Sequence, residues 1–342
     1  MPYVDFLIVV ISFILIAKGA DWFIDSSARI AEITAVPKFI VGALLIGLFT
    51  NLPEFVVAII AALKNYPTIA LGNAVGSIAF NTGVVLGVTL FMIPVKIDKN
   101  LLKQQGTWMI VSGLFLYAFA FLGKLGLGFG LLLVLGFIAF VYFSINHVNE
   151  LHNTQEPAFR GRANHDQNPA SQDTLSDSVN DPEIERYYDV LSKSALKFIA
   201  GGVMLIFGSH LLVNSGVHIA QFFGVPEIVI ATTLIAGGTS LPELAAALSA
   251  LAKGHSDLSL GTIIGSNTLN VLGTIGLGAL FRTIPVSREN LILDLPVMLL
   301  FMYLILLWGL RKDQFDKKNG VVLVCCFLAY MYVLLFAYPA FA

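Results

Sequence analysis

Along this chain, polar residues fall in short breaks between long apolar runs. Ten such runs can be drawn, at roughly 4–26, 37–63, 69–94, 105–122, 126–147, 195–217, 226–252, 258–281, 291–310 and 319–340. Each is close to the roughly 20 residues that an α-helix needs to cross the hydrocarbon core of a bilayer. Apolar positions within a run are continuous rather than alternating, and lipid offers backbone groups no partner, so helices are expected rather than barrel strands. The pattern predicts an all-α integral membrane protein with ten transmembrane helices. One polar stretch, 148–194, is rich in Asn, Asp, Ser and Gln and is expected to be a flexible cytoplasmic linker. It leaves five runs on either side, in residues 1–147 and 195–342.

The two sides are related. An ungapped shift of 189 residues lays the segment from Pro37 to Gly87 over the segment from Pro226 to Gly276, with sixteen of 51 positions identical. The matches include Thr50/Thr239, Pro53/Pro242, Glu54/Glu243, Ser77/Ser266 and Asn81/Asn270, and the same shift pairs Gly19 with Gly208. Shared apolar composition does not align Pro, Glu, Ser and Asn together. Five spans separate each element from its copy, and an odd number turns the second copy upside down. Two inverted five-helix repeats with interrupted helices point to a secondary transporter whose site lies near the bilayer midplane.

The interruptions carry the candidate chemistry. Thr50-Asn51-Leu52-Pro53-Glu54 and Thr239-Ser240-Leu241-Pro242-Glu243 fall near the middle of the second and seventh runs. A proline there removes one intrahelical hydrogen bond and crowds the carbonyl four residues back, freeing backbone oxygens around Thr50 and Thr239. A carboxylate at that depth costs about 2.5–3.5 kcal/mol on insertion scales. The basic residue deepest in a run, Lys18, stands near the end of the first, where it is expected to snorkel or to meet Asp21. The glutamates thus lack a mid-membrane cation, and either a transported cation or a proton can neutralise them. In the third and eighth runs Ser77 and Asn81, like Ser266 and Asn270, are four apart and share a helical face. Glu, Asn, Ser, Thr and carbonyl oxygens without His or Cys suit a hard cation, Ca²⁺ or Na⁺.

Composition and charge sharpen this. Of 342 residues, 57% are hydrophobic and 12% charged, far from an ordinary soluble domain. The net charge of −2 gives no reason to expect nucleic acid. With the N-terminus outside, the inner loops hold fifteen Lys and Arg (Arg29, Lys38, Lys96, Lys99, Lys103, Arg160, Arg162, Arg186, Lys193, Lys197, Lys253, Arg311, Lys312, Lys317, Lys318) and the outer loops four (Lys64, Lys124, Arg282, Arg288). Both termini are therefore expected outside. The opening residues lack the cationic region of a cleaved signal peptide, so the first run is expected to stay. Cys325 and Cys326, adjacent in the last run, read as packing residues, and His210 and His218 as packing or hydrogen-bonded ones. Asp21 and Asp25 read as structural, and His255 and Asp257 as shaping a loop. No nucleophile elbow, phosphate-binding glycine loop or HExxH motif is present, which speaks against an enzyme.

At these motifs the chain resembles the calcium/cation antiporter superfamily, most closely the prokaryotic sodium/calcium exchangers. FTNLPE (49–54) and GNAVGSIAFN (72–81) resemble that family's first repeat motif, and GTSLPE (238–243) and GSNTLN (265–270) its second. The resemblance implies one cation cluster, with Glu54 and Glu243 shared by Ca²⁺ and Na⁺ and Thr50 and Thr239 contributing carbonyls. It implies flanking Na⁺ sites helped by Ser77, Ser266, Ser240 and Ala236, with Asn81 and Asn270 at the centre. Asn51 and Gly47 stand where the family often carries Ser and Ala, and Asn270 where some relatives carry Asp. The implied activity is Ca²⁺/Na⁺ antiport by alternating access in a prokaryotic cell membrane, by a monomer, without a cofactor. Proton/Ca²⁺ exchange and a passive cation channel are the alternatives.

Overall fold

The computed structural model describes residues 2–163, 182–224 and 236–337. Apolar runs coil into helices: α1 (Pro2–Thr34), α2 (Lys38–Thr50), α3 (Leu52–Leu63), α4 (Thr68–Met92), α5 (Lys99–Ala120), α6 (Leu127–Ala163), α7 (Pro182–Phe222), α8 (Ala236–Gly238), α9 (Leu241–Ala252), α10 (Ser256–Phe281), α11 (Asn290–Arg311) and α12 (Lys317–Tyr332). Six of these are long and apolar enough to cross a membrane, and seven if the bent pair α2–α3 is one span. α5 opens on the polar Lys99, Lys103, Gln104 and Gln105, α12 has only 16 residues, and much of the run 226–252 lies outside the described residues.

The structure departs from the expected pattern at the connections. α6 continues to Ala163 and α7 starts at Pro182, so helical backbone enters the polar stretch 148–194 from both sides. Charge pairs at helical spacing support that extension, such as Lys193 on Asp189 at 2.7 Å. Four two-residue strands also appear, β1 (Val95–Lys96), β2 (Lys124–Leu125), β3 (Ile284–Pro285) and β4 (Gln314–Phe315). They pair antiparallel as β1 with β4 and β2 with β3, each pair joining one half of the chain to the other. Val95, Leu125, Ile284 and Phe315 are buried beneath these ribbons. Short pairings of this kind satisfy backbone groups where helices end.

The halves interlock around equivalent elements. Residue 95 shifted by 189 is 284, so β1 and β3 are copies, and each pairs with a strand of the other half. α1 lies along α7, and the contacts run in opposite senses. A Cβ on Gly19 would come within 2.7 Å of the Leu205 nitrogen, and one on Gly201 within 2.6 Å of the Phe23 nitrogen. α1 and α7 are thus antiparallel neighbours. The main apolar core gathers Leu71, Ile78, Leu102, Met109, Ile264 and Met302 from α4, α5, α10 and α11, and a smaller cluster joins α1 and α7 through Phe23, Ile24, Phe198 and Leu205. Val10, Leu131, Phe207 and Tyr303 face outward, an apolar surface suited to lipid.

At one end, Lys253, just past α9, ties the α1–α7 pair to the rest. Its Nζ lies 2.7 Å from Asp25 and 3.0 Å from Asp21, and Lys197 adds a looser pairing to Asp25 at 3.6 Å. Asp21 thus meets Lys253 rather than Lys18, which is exposed. Beside them His255 Nδ1 lies 3.4 Å from Lys38 Nζ, and burial together with the Lys38 charge lowers the imidazole pKa. At the other end His218 pairs with Asp5 at 3.1 Å.

Candidate functional site

The two broken helices deliver the acids. α2 ends at Thr50, Asn51 sits in the break, and α3 starts with Pro53 in its first turn, bent 41° from α2. The second copy repeats this, with α8 ending at Gly238, Ser240 in the break and Pro242 in the first turn of α9. Glu54 and Glu243 therefore occupy matching first-turn positions, where the free N–H groups and dipole of a helix favour negative charge. Both carboxylates are fully buried, and among the described residues no Lys or Arg pairs with either.

Each acid finds a neighbour in the other half of the chain. Thr239 stands beside Glu54 and Thr50 beside Glu243, and the two acids are within electrostatic reach of each other. The Thr50 hydroxyl proton is committed to the Ile46 carbonyl (3.1 Å), and that of Thr239 reaches Asn73 Oδ1 at 3.5 Å. Ser77 donates a long hydrogen bond to Glu54 Oε1 (3.4 Å). Glu54 Oε2, both Glu243 oxygens, Asn51 Oδ1, both amide atoms of Asn81, Ser240 Oγ, Ser266 Oγ and Asn270 Nδ2 are buried without a hydrogen-bond partner among the described residues. Buried polar atoms are nearly always paired in folded proteins, so a group of unpaired oxygens around two acids calls for a cation or water to complete it.

Three of the five π-helical stretches among the described residues adjoin the cluster. A π-helical stretch, Val41–Ile46, precedes the break in α2. Two more begin at Asn81 and at Asn270, at matching points of α4 and α10. Wide turns of this sort recur at functional sites, because they aim side chains that a regular helix would place elsewhere.

Of the residues anticipated from sequence, Glu54, Glu243, Thr50, Thr239, Ser77, Asn51, Asn81, Ser240, Ser266 and Asn270 all lie at the breaks or on the α4 and α10 segments around them. Gly47 contributes backbone, and its carbonyl already accepts the Asn51 amide (Nδ2, 2.7 Å) and the Asn51 main-chain N–H (3.1 Å). Ala236 opens α8, and its side chain lies outside the described residues. Asn73 was not anticipated. It lies one turn before Ser77 and two before Asn81, accepts from Thr239, and leaves its Nδ2 buried and unpaired. That four-residue spacing was the available signal. Behind the cluster Asn267 donates to Thr82 at 2.8 Å, a polar bridge between α10 and α4.

A cleft of about 670 Å³ opens toward the cluster between α7 and the broken helices, lined by Leu52, Pro53, His210, Asn214, Thr239 and Pro242 among others. Phe49 also lines it and packs on Phe198, which stacks on Phe23 at 4.4 Å between ring centres. His210 is bonded to Asn214 at 3.0 Å.

A family model described as sodium/calcium exchanger protein matches residues 4–146 and 193–336. The chain belongs to that family. It is accordingly an all-helical, multi-pass membrane transporter, and the two matched segments leave most of the polar linker between them. The chain is 30% identical to the sodium/calcium exchanger MaX1 of Methanosarcina acetivorans, with 98% of this chain and 100% of MaX1 aligned. It is also 30% identical to the uncharacterized membrane protein MJ0091 of Methanocaldococcus jannaschii, over 92% and 93% of the two chains. Among solved structures it is similar to the sodium-calcium exchanger NCX_Mj soaked with zero Na⁺ and Ca²⁺, with a TM-score of 0.80 and 25% identity over 98% of this chain and 100% of that one. NCX_Mj soaked with 2.5 mM Na⁺ and 0.1 mM Ca²⁺ gives a TM-score of 0.79 at 25% identity, covering 98% and 99%. The family's members are ion exchangers rather than enzymes.

Proposed function

We propose that this protein is a secondary-active antiporter that moves Ca²⁺ in exchange for Na⁺ by alternating access. The observation that carries the reading is a pair of fully buried glutamates from matching breaks, with no basic partner among the described residues and ringed by neutral oxygen donors. Two carboxylates neutralise one Ca²⁺, and Na⁺ competes for the same hard oxygens, which couples the two fluxes without simultaneous occupancy. Thr50, Thr239, Ser77, Ser266, Ser240, Asn51, Asn81, Asn270, Gly47 and Ala236 complete the ion ligands in this reading. The names of MaX1 and NCX_Mj favour Na⁺ as the counter-ion.

The architecture that goes with it is ten spans in two inverted repeats, residues 1–147 and 195–342, joined by a cytoplasmic segment 148–194. The antiparallel setting of α1 against α7, its copy, supports the inversion. Both termini face outside a prokaryotic cell membrane, on the distribution of Lys and Arg, and the monomer is the working unit. α1 and α7 move together against the remaining helices, opening the cluster first to one side and then to the other.

Ca²⁺ uptake into proteoliposomes under an imposed Na⁺ gradient tests this, with Glu54→Gln and Glu243→Gln as controls. Uptake retained in both variants sinks the site. A second reading, proton/Ca²⁺ exchange, draws on the unpaired oxygens of Glu54 and Glu243, which a proton can occupy as readily as a metal. Uptake driven by a pH gradient without Na⁺ selects it. Uptake indifferent to any counter-ion points instead to a passive channel.

A further inference from the structure

The two strand ribbons are copies that differ in charge. α5 runs from β1 to β2, so the ribbons stand at opposite ends of a 22-residue helix, roughly 33 Å apart. In the β1–β4 ribbon the Ile97 N–H donates to the Asp313 carbonyl at 3.0 Å, and the Asp313 carboxylate pairs with Lys99 at 2.7 Å. The shift of 189 turns Ile97 into Val286 and Lys99 into Arg288. The Val286 N–H donates to the Gly123 carbonyl at 3.0 Å, so Gly123 stands where the acid stands in the copy. It is left-handed, at φ 73°, and a Cβ on it would meet no atom within 4 Å among the described residues. Lys124 follows it. One ribbon thus carries a matched pair of charges, and the other carries cations and no acid.

At that point lies a hollow of about 630 Å³, lined by Asn65, Thr68, Gly123, Lys124, Arg282 and Thr283 among others. Lys124 comes from one repeat and Arg282 from the other. Among the described residues neither they nor Arg288 form an ion pair, whereas Arg29, Lys38, Lys99, Lys197, Lys253 and Lys312 each lie within 3.7 Å of an acid. The acids nearest in sequence do not help. Glu289 pairs with no cation among the described residues, and Asp294 is held by Asn290 at 2.8 Å and by Tyr330 at 2.9 Å. Thr68 and Thr283 are exposed and add two hydroxyl donors. Cationic N–H groups together with hydroxyls, without an acceptor of their own, are the donor set that recognises phosphate. Beside the hollow Tyr66, Phe121, Leu122 and Phe281 are exposed, a mixture of aromatic, apolar and basic side chains that belongs at the headgroup level of a bilayer.

We propose that this hollow binds the phosphate of an anionic phospholipid headgroup, which supplies the negative charge that the β2–β3 ribbon lacks and clips the two repeats together at that end. Lys124 and Arg282 hold the phosphate oxygens, Thr68 and Thr283 donate to them, and the acyl chains lie against the apolar rim. A soluble phosphate gains nothing from that rim, which is why a lipid is the occupant. None of this depends on which ions the protein exchanges.

The test titrates phosphatidylglycerol, phosphatidylcholine and inorganic phosphate separately into the full-length protein in detergent. Bound lipid is counted by native mass spectrometry, and the melting temperature is followed in parallel. Phosphatidylglycerol is expected to bind ahead of phosphatidylcholine and to raise the melting temperature. Lys124→Gln and Arg282→Gln are each expected to weaken its binding about fivefold, and Lys124→Arg, which keeps the charge, to preserve it. Lys64→Gln removes an exposed cation next to Asn65 but outside the hollow, and is expected to leave binding nearly unchanged. Equal binding of the two lipids overturns the proposal, and so does a loss in Lys64→Gln as large as in the two hollow variants, since either marks general surface attraction. Displacement of phosphatidylglycerol by inorganic phosphate at equal concentration gives the hollow to a soluble anion and overturns the lipid assignment. Should one glutamine variant fail to fold, the other together with Lys124→Arg decides, and unchanged phosphatidylglycerol binding in the folded glutamine variant overturns the proposal.

Discussion

The two repeats agree where they meet and part company at their ends. At the breaks Thr50 and Thr239, Pro53 and Pro242, and Glu54 and Glu243 are identical, and each threonine stands by the other repeat's acid. Toward the ends, the same shift of 189 pairs Lys253 with Lys64, and Asp21 and Asp25 with His210 and Asn214. Lys253 is clasped by its two aspartates on α1, while exposed Lys64 has no ion pair among the described residues. The positions that would hold Lys64 carry a His and an Asn bonded to each other. In the proposed exchange a bound ion is reached from both sides in turn, and ligands that repeat suit that. The two closures need not be equally firm, and here one end is tied by Lys253 and its two aspartates while the other opens into the cleft.

Paired substitutions probe that comparison. Glu54→Gln and Glu243→Gln should each reduce Ca²⁺ transport by on the order of 100-fold, the loss expected when a charged ligand becomes neutral. Equal losses support equivalent roles, and a variant that keeps transport while its copy loses it breaks the equivalence. Next come Gly261→Ala and Gly265→Ala, whose new methyl groups would run into the backbone carbonyls of Phe39 and Ala43. Each should cost about 1–3 kcal/mol or more, seen as a lower melting temperature in detergent. The copies Gly72 and Gly76 have no neighbouring atom within 4 Å among the described residues, so alanine there should cost less.

Smaller effects are expected at the ends. Lys253→Ala removes two partly exposed ion pairs worth about 0.2–1 kcal/mol each. Hydrogen exchange across residues 241–258 should quicken by about 1.5- to fivefold for each pair lost. Burial alone would lower the Lys253 pKa, but Asp25 and Asp21 outweigh it and the net direction is up. The lysine side of this stabilisation is thus complete below its ordinary value of 10.5 and lost as pH rises through the folded one, so the difference should be equal at pH 7 and pH 8. Lys64→Ala should leave exchange and transport unchanged. A response as large as that of Lys253→Ala would mean that the two ends are built alike after all.

Much of the site was legible before any coordinates. Pro53 and Pro242 announced the breaks, because a proline inside an apolar run cannot complete the helix, and the depth of Glu54 and Glu243 announced chemistry, because lipid punishes an idle charge. Asn73 escaped notice because an amide taken alone looks like any interhelical hydrogen-bonding group, and only its position beside Thr239 sets it apart. The four short strands escaped for a similar reason. A two-residue pairing has no period of its own, and its partner lies in the other half of the chain.

The sequence by itself determined the membrane-spanning class, the repeated motif and the identity of the buried acids, all of which follow from local solvation and from spacing along one chain. Tertiary structure decided what each ligand atom can do. Asn51 could have capped α3, but in the folded protein its amide turns to Gly47, and nothing in its neighbours in sequence dictates that choice. Likewise Lys253 found Asp21 and Asp25 more than two hundred residues away, while its copy has no ion pair among the described residues. Hydrogen bonds and ion pairs depend on direction and distance in space, and those exist only once the helices have packed.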